Sequence, residues 1–582
     1  VNEPAPSPGF WRRKPECGVL LALALLLAGG LFVNDRVVAH GRELTVLNRT
    51  GAPAKLTLPH GEVLELAPEK LQTVPLGEGR HRLMLELEGA TARPVEVAIT
   101  GNVFERLLGG RVYLLNLDAA APIVWEETIY GPPGQSPPAT PGRVALGEVL
   151  VFERVDEVFA PFPDDAPEGP RVRIGLAPGE PAHLLGALAP AQRGALGALR
   201  YAEHHLHRTP DDDALLGLYV RAARQDHAAA GAAFLASRLS ERPVRVQWHR
   251  AHQDLRRAAG EAEALREEYA AACAKEPDNS ALLALSARLA ESPDQALAGY
   301  RQALALDAND PFAHYGVAVH LFRRAEYPAA RTAIDAACQA RPRDANFANL
   351  RFLVRCGQRE WALLASELER ALKAAPTSFP VLQRYLEALV AAGQSDLARE
   401  ASQRYRQRLS DRDDPRQLAL LASLSLHGLE KRWDDLRGGL PQLKDEVLRV
   451  RLAFQVALGS GKPAEAGEAK GPSESLQLAL AWTLAAKAEA EAKASRQRLG
   501  ELLSKSEGAW PALGSVLESG DSVALSKLAL SPDDKACALY LLAADSPPEA
   551  RGPLLDLAAR YDLGRRYPHA LLARAKEHLS QP

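Results

Sequence analysis

The most constraining feature of this chain is a recurrence every 34 residues within about 292–409. Pro342 and Pro376 mark it, each after a helix-like run ending in small and apolar residues, Ala336-Ala337-Cys338 and Ala371-Leu372. One period before Pro342 stands Ala308, in a similar turn, Leu306-Asp307-Ala308-Asn309-Asp310. A helical period of 3.6 residues would suit any antiparallel array of helices. A fixed long spacing of alanines with a closing proline instead demands one helix–turn–helix unit used repeatedly. Small residues let the two helices of a unit approach, while large ones fill the space between units.

The stretch beginning at Pro311 fits best. Its small positions hold Ala318, Ala330 and Ala337, and its bulky positions hold His314, Val317, Leu321, Tyr327 and Ile334. The preceding stretch supplies Leu283, Ala284, Ala296, Tyr300 and Ala303, with a boundary about three residues short relative to Pro277. The following one keeps Leu368, Ala371, Leu372 and Pro376, but Gly357 and Trp361 set its first helix out of step. A last repeat has Leu382, Leu386, Leu389, Gly393 and Ala398, then decays at Ser402.

This pattern resembles the tetratricopeptide repeat family, a solenoid that binds other proteins. The resemblance implies a concave groove lined by the first helix of each repeat. Carried over by position, it implicates Phe312, Tyr315, Val319, Phe322 and Arg323, with Gln383 and Glu387 further on. The carboxylate-binding variant of the family expects Lys and Asn where Tyr315 and Val319 stand. Packing between repeats is the competing reading for Tyr315 and Phe322.

The length, 582 residues, suggests several domains. A net charge of −3, without a long basic stripe, argues against a nucleic-acid binder. Residues 1–16 read as a cytoplasmic tail ending in Arg12, Arg13 and Lys14. Residues 17–33 carry no charge and read as a transmembrane helix or signal anchor, near the lower length limit for crossing a bilayer. The basic cluster before it predicts a cytoplasmic N-terminus with the bulk exported, at a bacterial inner membrane. Signal cleavage near Val37-Val38-Ala39 is the competitor, and a soluble core helix is the bland alternative. Cys17 precedes the apolar run, which excludes a lipoprotein signal. Val1 at the start fits an alternative start codon read literally, hence a bacterial source.

Residues 40–160 change to a strand period, with Leu83, Leu85 and Leu87 alternating and Gly and Pro between runs. Two halves look related: Thr45-Val46-Leu47-Asn48 leads to Ala52-Pro53, and Leu114-Leu115-Asn116-Leu117 leads to Ala121-Pro122. This predicts one β-sandwich of two similar halves, or two tandem modules. The piece Leu76-Gly77-Glu78-Gly79-Arg80-His81-Arg82-Leu83 resembles the hairpin of PEGA-type surface domains, which implies an extracytoplasmic β-module without enzymatic activity. Asn48-Arg49-Thr50 matches a glycosylation sequon but reads better as a turn asparagine. Residues 161–182 form a proline-rich linker, and helices follow over 183–457, with the clearest repeats in 277–410. Residues 458–475 read as a flexible linker, and 476–582 as further repeats or a cap. The expected fold class is thus a multidomain chain: transmembrane helix, small β-sandwich region, all-α solenoid.

Catalytic and metal patterns do not emerge. Five cysteines are scattered, with no C-x-x-C pair. His204, His205 and His207 would point in different directions on a helix. Asp211-Asp212-Asp213 reads as a helix start rather than a calcium loop. Gly459-Ser460-Gly461-Lys462 has Val456 and Pro463 where a phosphate loop needs Gly and Ser or Thr. The expectation is therefore a membrane-anchored, non-enzymatic adaptor with no cofactor or metal and a protein or peptide partner. The alternative is a glycan- or lipid-binding envelope protein acting through its β region.

Overall fold

The computed structural model describes residues 37–88, 91–101, 111–130, 142–160, 169–177, 179, 181, 184–185, 196–409, 415–485, 489–564 and 566–581. It divides into two compact units, Val1–Ala262 and Glu263–Pro582.

Twelve strands are described in the N-terminal unit: β1 (Glu43–Leu47), β2 (Ala54–Thr57), β3 (Val63–Leu66), β4 (Leu71–Pro75), β5 (Gly79–Leu87), β6 (Arg93–Ile99), β7 (Arg111–Asn116), β8 (Ile123–Tyr130), β9 (Arg143–Ala145), β10 (Val149–Glu153), β11 (Glu157–Val158) and β12 (Gly169–Leu176). They form three sheets, ordered β3-β2-β5-β6, β10-β7-β1-β4 and β11-β12-β8-β9. β1 and β7 pair in parallel at the centre of the middle sheet, with Leu44 opposite Tyr113 and Leu47 opposite Asn116. Outer strands such as β6 alternate buried and exposed residues, as one-faced burial requires. β1 and β7 instead bury consecutive residues, because both faces of the middle sheet are covered. Leu44, Val46, Tyr113 and Leu115 join the core beneath β2, β5 and β6. Leu47, Leu114 and Phe152 join Ile123 and Ile174 on the opposite face.

The two halves repeat their pairings: β1 with β4 as β7 with β10, β2 with β3 as β8 with β9, β2 with β5 as β8 with β12. The repeated asparagines have one task. Asn48 Nδ2 donates to the carbonyls of Ala52 (2.9 Å) and Leu66 (3.0 Å). Asn116 Nδ2 donates to those of Ala121 (2.8 Å) and Gly147 (3.1 Å). Each thereby satisfies backbone groups at a buried crossover between sheets. The stretch expected as a linker contains β12, whose eight residues pair along β8.

Four long helices are described after the strands of this unit: α1 (Leu196–Arg208), α2 (Asp213–Asp226), α3 (Ala228–Ala236) and α4 (Val246–Ala258). Asp118 fastens α1 to the β region. It accepts from Arg93 Nη2 at 2.8 Å and lies 2.9 Å from His204 Nε2. Burial alone would raise its carboxyl, but His204, Arg200 and Arg93 hold it below the usual range. His205 lies 3.9 Å from Asp212, and His207 faces Arg238, so the three histidines serve separate neighbours.

In the C-terminal unit, α5 (Ala262–Lys275) and α6 (Ser280–Ala287) lead into α7 (Pro293–Leu306), α8 (Pro311–Arg323), α9 (Tyr327–Ala340), α10 (Ala345–Gly357), α11 (Trp361–Ala374), α12 (Phe379–Ala391) and α13 (Ser395–Gln407). Three helix pairs, α8/α9, α10/α11 and α12/α13, each start 34 residues after the last. The expected slip around Gly357 and Trp361 does not occur. Asp310, Asp344 and Ser378 are N-caps in register, and Ala325, Arg359 and Gly393 take left-handed φ of 57°, 59° and 77° at the inner turns. Gly357 ends its helix tightly for a steric reason: a Cβ there would stand 2.5 Å from the Tyr327 ring. Ala318, Ala330 and Ala337 are fully buried.

Beyond lie α14 (Pro415–Leu429), α15 (Trp433–Gly439), α16 (Glu446–Ser460), α17 (Pro472–Thr483), α18 (Glu489–Ser504), α19 (Trp510–Ser519), α20 (Ser522–Lys527), α21 (Pro532–Asp545), α22 (Pro548–Tyr561) and α23 (Arg566–Leu579). Within 458–475, expected to be flexible, Gly461 caps α16 in a left-handed conformation and a 3-10 turn spans Pro463–Glu465.

The expected fold class needs correction. The predicted membrane helix, 17–33, lies outside the described residues, and no described helix is long and apolar enough to cross a membrane. The chain is instead a region of three β-sheets followed by helices. The inner-membrane localisation rested on that span and falls with it.

Candidate interaction surface

The first helices of the three regular repeats, α8, α10 and α12, position the groove candidates. Asp310 fixes the start of α8 by accepting from the amides of Phe312 (2.9 Å) and Ala313 (3.0 Å). Phe312 meets Phe347 of α10 edge-on at 5.8 Å, and Tyr315 stacks on the same ring at 4.8 Å. Both are half-buried, so each uses one side for packing between repeats. The Arg341 guanidinium sits 5.1 Å from the Phe312 ring centre. Val319 is half-buried, whereas Phe322 is buried against Tyr327 at 5.9 Å.

Arg323 is largely enclosed. Burial lowers its pKa, opposed by the neighbouring Tyr315 and Tyr300. His320, one turn earlier, is pushed down to about 4 by burial and by Arg323 and Arg324. Gln383 and Glu387 form a separate pair on α12, the amide donating to the carboxylate at 3.4 Å, with Glu387 6% exposed. The structure therefore gathers five candidates on α8 and places the other two on α12.

Sequence reasoning missed the far end of the chain. Lys535 of α21 is fully buried, and its Nζ donates to the carbonyls of Arg323 and Ser526, each at 2.7 Å. Its ammonium lies 5.3 Å from the Tyr561 ring centre. Burial, then Arg323 and Arg324, pull its pKa down to about 7. The Tyr327 hydroxyl donates to the Arg560 carbonyl (2.9 Å), and Arg359 donates to that of Asp562. The last helices thus return to the inner turns of the α8/α9 and α10/α11 repeats. No local sequence signal could announce contacts at such separations, and Lys535, directly after Asp533-Asp534, reads as one more charge at a helix start.

Helix pairs stacked on a 34-residue period make 311–407 of the C-terminal unit a tetratricopeptide-like helical array. No protein-family model matches the chain, so the PEGA-type resemblance is not shown; in that hairpin His81 Nε2 donates to the Gly77 carbonyl at 2.7 Å. No curated protein matches either. Among solved structures the chain is similar to a complex described as "Structure of Naa15/Naa10 bound to HypK-THB", with 14% identity and a TM-score of 0.25. The match covers 57% of this chain and 56% of that one, so the chain spans little more than half of the relative's length.

Proposed function

We propose that this chain is a non-catalytic scaffold that holds a protein or peptide along the first helices of its repeats. The observation that carries this reading is the half-buried pair Phe312 and Tyr315 on α8, which share one Phe347 ring. Half-buried aromatic side chains on a packed helix are suited to anchoring a partner side chain. Half-buried Gln383, oriented by the buried Glu387, adds a polar group on the first helix of a later repeat.

A photoreactive residue placed at Tyr315 in the native cell should crosslink a discrete partner, and the same residue at exposed Arg370 should not. Tyr315→Ala should reduce capture about tenfold while circular dichroism stays unchanged. Equal capture by the variant, with helicity preserved, would remove α8 from the binding surface.

A further inference from the structure

A shallow cavity of about 60 Å³ opens between α11 and the next repeat, α12 and α13. None of the groove candidates lines it. Lys373, Arg404 and Arg408 surround it with three positive charges, and Glu369 supplies one negative charge, leaving an excess of two (three minus one). Glu369 is engaged with Lys373 at 2.9 Å. No ion pair joins Arg404 or Arg408 to a described residue. Leu372 and Ala401 contribute apolar surface.

Two tyrosines line the same cavity. The Tyr405 hydroxyl donates to the Thr377 carbonyl at 3.1 Å. Tyr385 is only 6% exposed, yet no hydrogen bond joins its hydroxyl to a described residue. Its ionisation is pushed up by burial and by Glu369, and opposed by Arg404. Arginines in the last turn of α13 are favourable to the helix dipole and would ordinarily be a solvated face. That explanation covers Arg404, and beside it the Tyr385 hydroxyl, which makes no hydrogen bond to a described residue, is placed to donate to a bound group.

We propose that this cavity binds a small oxyanion, a phosphate or a carboxylate, with the Tyr385 hydroxyl donating to it and Arg404 and Arg408 balancing its charge. The volume suits a single anionic head rather than a nucleotide, whose pockets are several-fold larger. Arginine forks favour planar or tetrahedral oxyanions over chloride. The site is separate from the groove, so its failure and the failure of the scaffold reading are independent.

Titrate the full chain with inorganic phosphate, and separately with acetate, at ionic strength held constant with chloride, and follow binding by calorimetry. Saturable binding is expected for at least one anion; the tighter of the two identifies phosphorylated or carboxylate-bearing ligands as the source. Arg404→Gln with Arg408→Gln should weaken it about tenfold or more, and Tyr385→Phe about threefold or more. Arg408→Gln alone alters an exposed side chain and should weaken binding with the fold intact. Absence of saturable binding above the chloride background, or equal affinity in wild type and all three variants, would overturn the proposal.

Discussion

Lys535 Nζ lies 2.7 Å from the carbonyl oxygen of Arg323, a residue 212 positions earlier. That bond closes the end of α8 with a donor from α21, where a helix terminus otherwise leaves carbonyls unsatisfied. Lys535 also holds Ser526, so one side chain fastens three segments.

Lys535→Met should cost the C-terminal unit about 1–3 kcal/mol near pH 7, because two buried carbonyls lose their donor. The pH dependence is more specific. The folded state lowers the lysine pKa to about 7, so between there and the unfolded value the unfolded chain binds the extra proton. Wild-type stability should therefore rise with pH from about 7 to about 10.4, by no more than about 1.4 kcal/mol per unit, relative to the methionine variant. Urea midpoints of both proteins across that range measure it; a constant difference would contradict the assignment.

Gly316→Ala should destabilise although alanine is the better helix former. A Cβ there would stand 2.4 Å from the Tyr300 ring, and overpacking of this kind costs about 1–3 kcal/mol. Gly217→Ala in α2 meets nothing within 4 Å and should stabilise by up to about 1 kcal/mol. Thermal melts of the two variants should shift in opposite directions.

Asp118→Asn should loosen α1 from the β region by about 1–2 kcal/mol at neutral pH. The carboxyl is held below its ordinary value, so its contribution is present above about pH 4 and disappears as pH falls through the lowered folded value. The gap between wild type and variant in urea denaturation should accordingly close in acid.

Asp310→Ala and Asp344→Ala should each cost about 1 kcal/mol, the usual value of an N-cap. Both side chains accept two amides at the start of a first helix, one period apart. Ser378→Ala should cost less, since that side chain makes no capping bond. Denaturant midpoints of the three variants test the order.

The repeat was legible because its marks are local. Capping residues, buried alanines and left-handed turns all sit at a fixed spacing set by the chain itself. Tyr315 and Phe322 were legible as candidates, but whether each faces a partner or a neighbouring repeat depends on Phe347 and Tyr327, whose placement comes from packing. The β12 strand was hidden by its proline-rich surroundings, since Pro170 sits at its start, where a strand tolerates the missing amide. Asn48 and Asn116 signalled the related halves correctly, but their parallel joining through β1 and β7 is a long-range pairing without a local mark. The same holds for Tyr327 with Arg560.

The pairing of β1 with β7 also bears on whether this region can be divided. A cut anywhere between β6 and β7 would strip each half of its central neighbour and expose a flat row of unused amides and carbonyls, a template for sticking to other chains. Either half alone would therefore carry an open inner edge, so the two halves should persist in solution only as a joined pair.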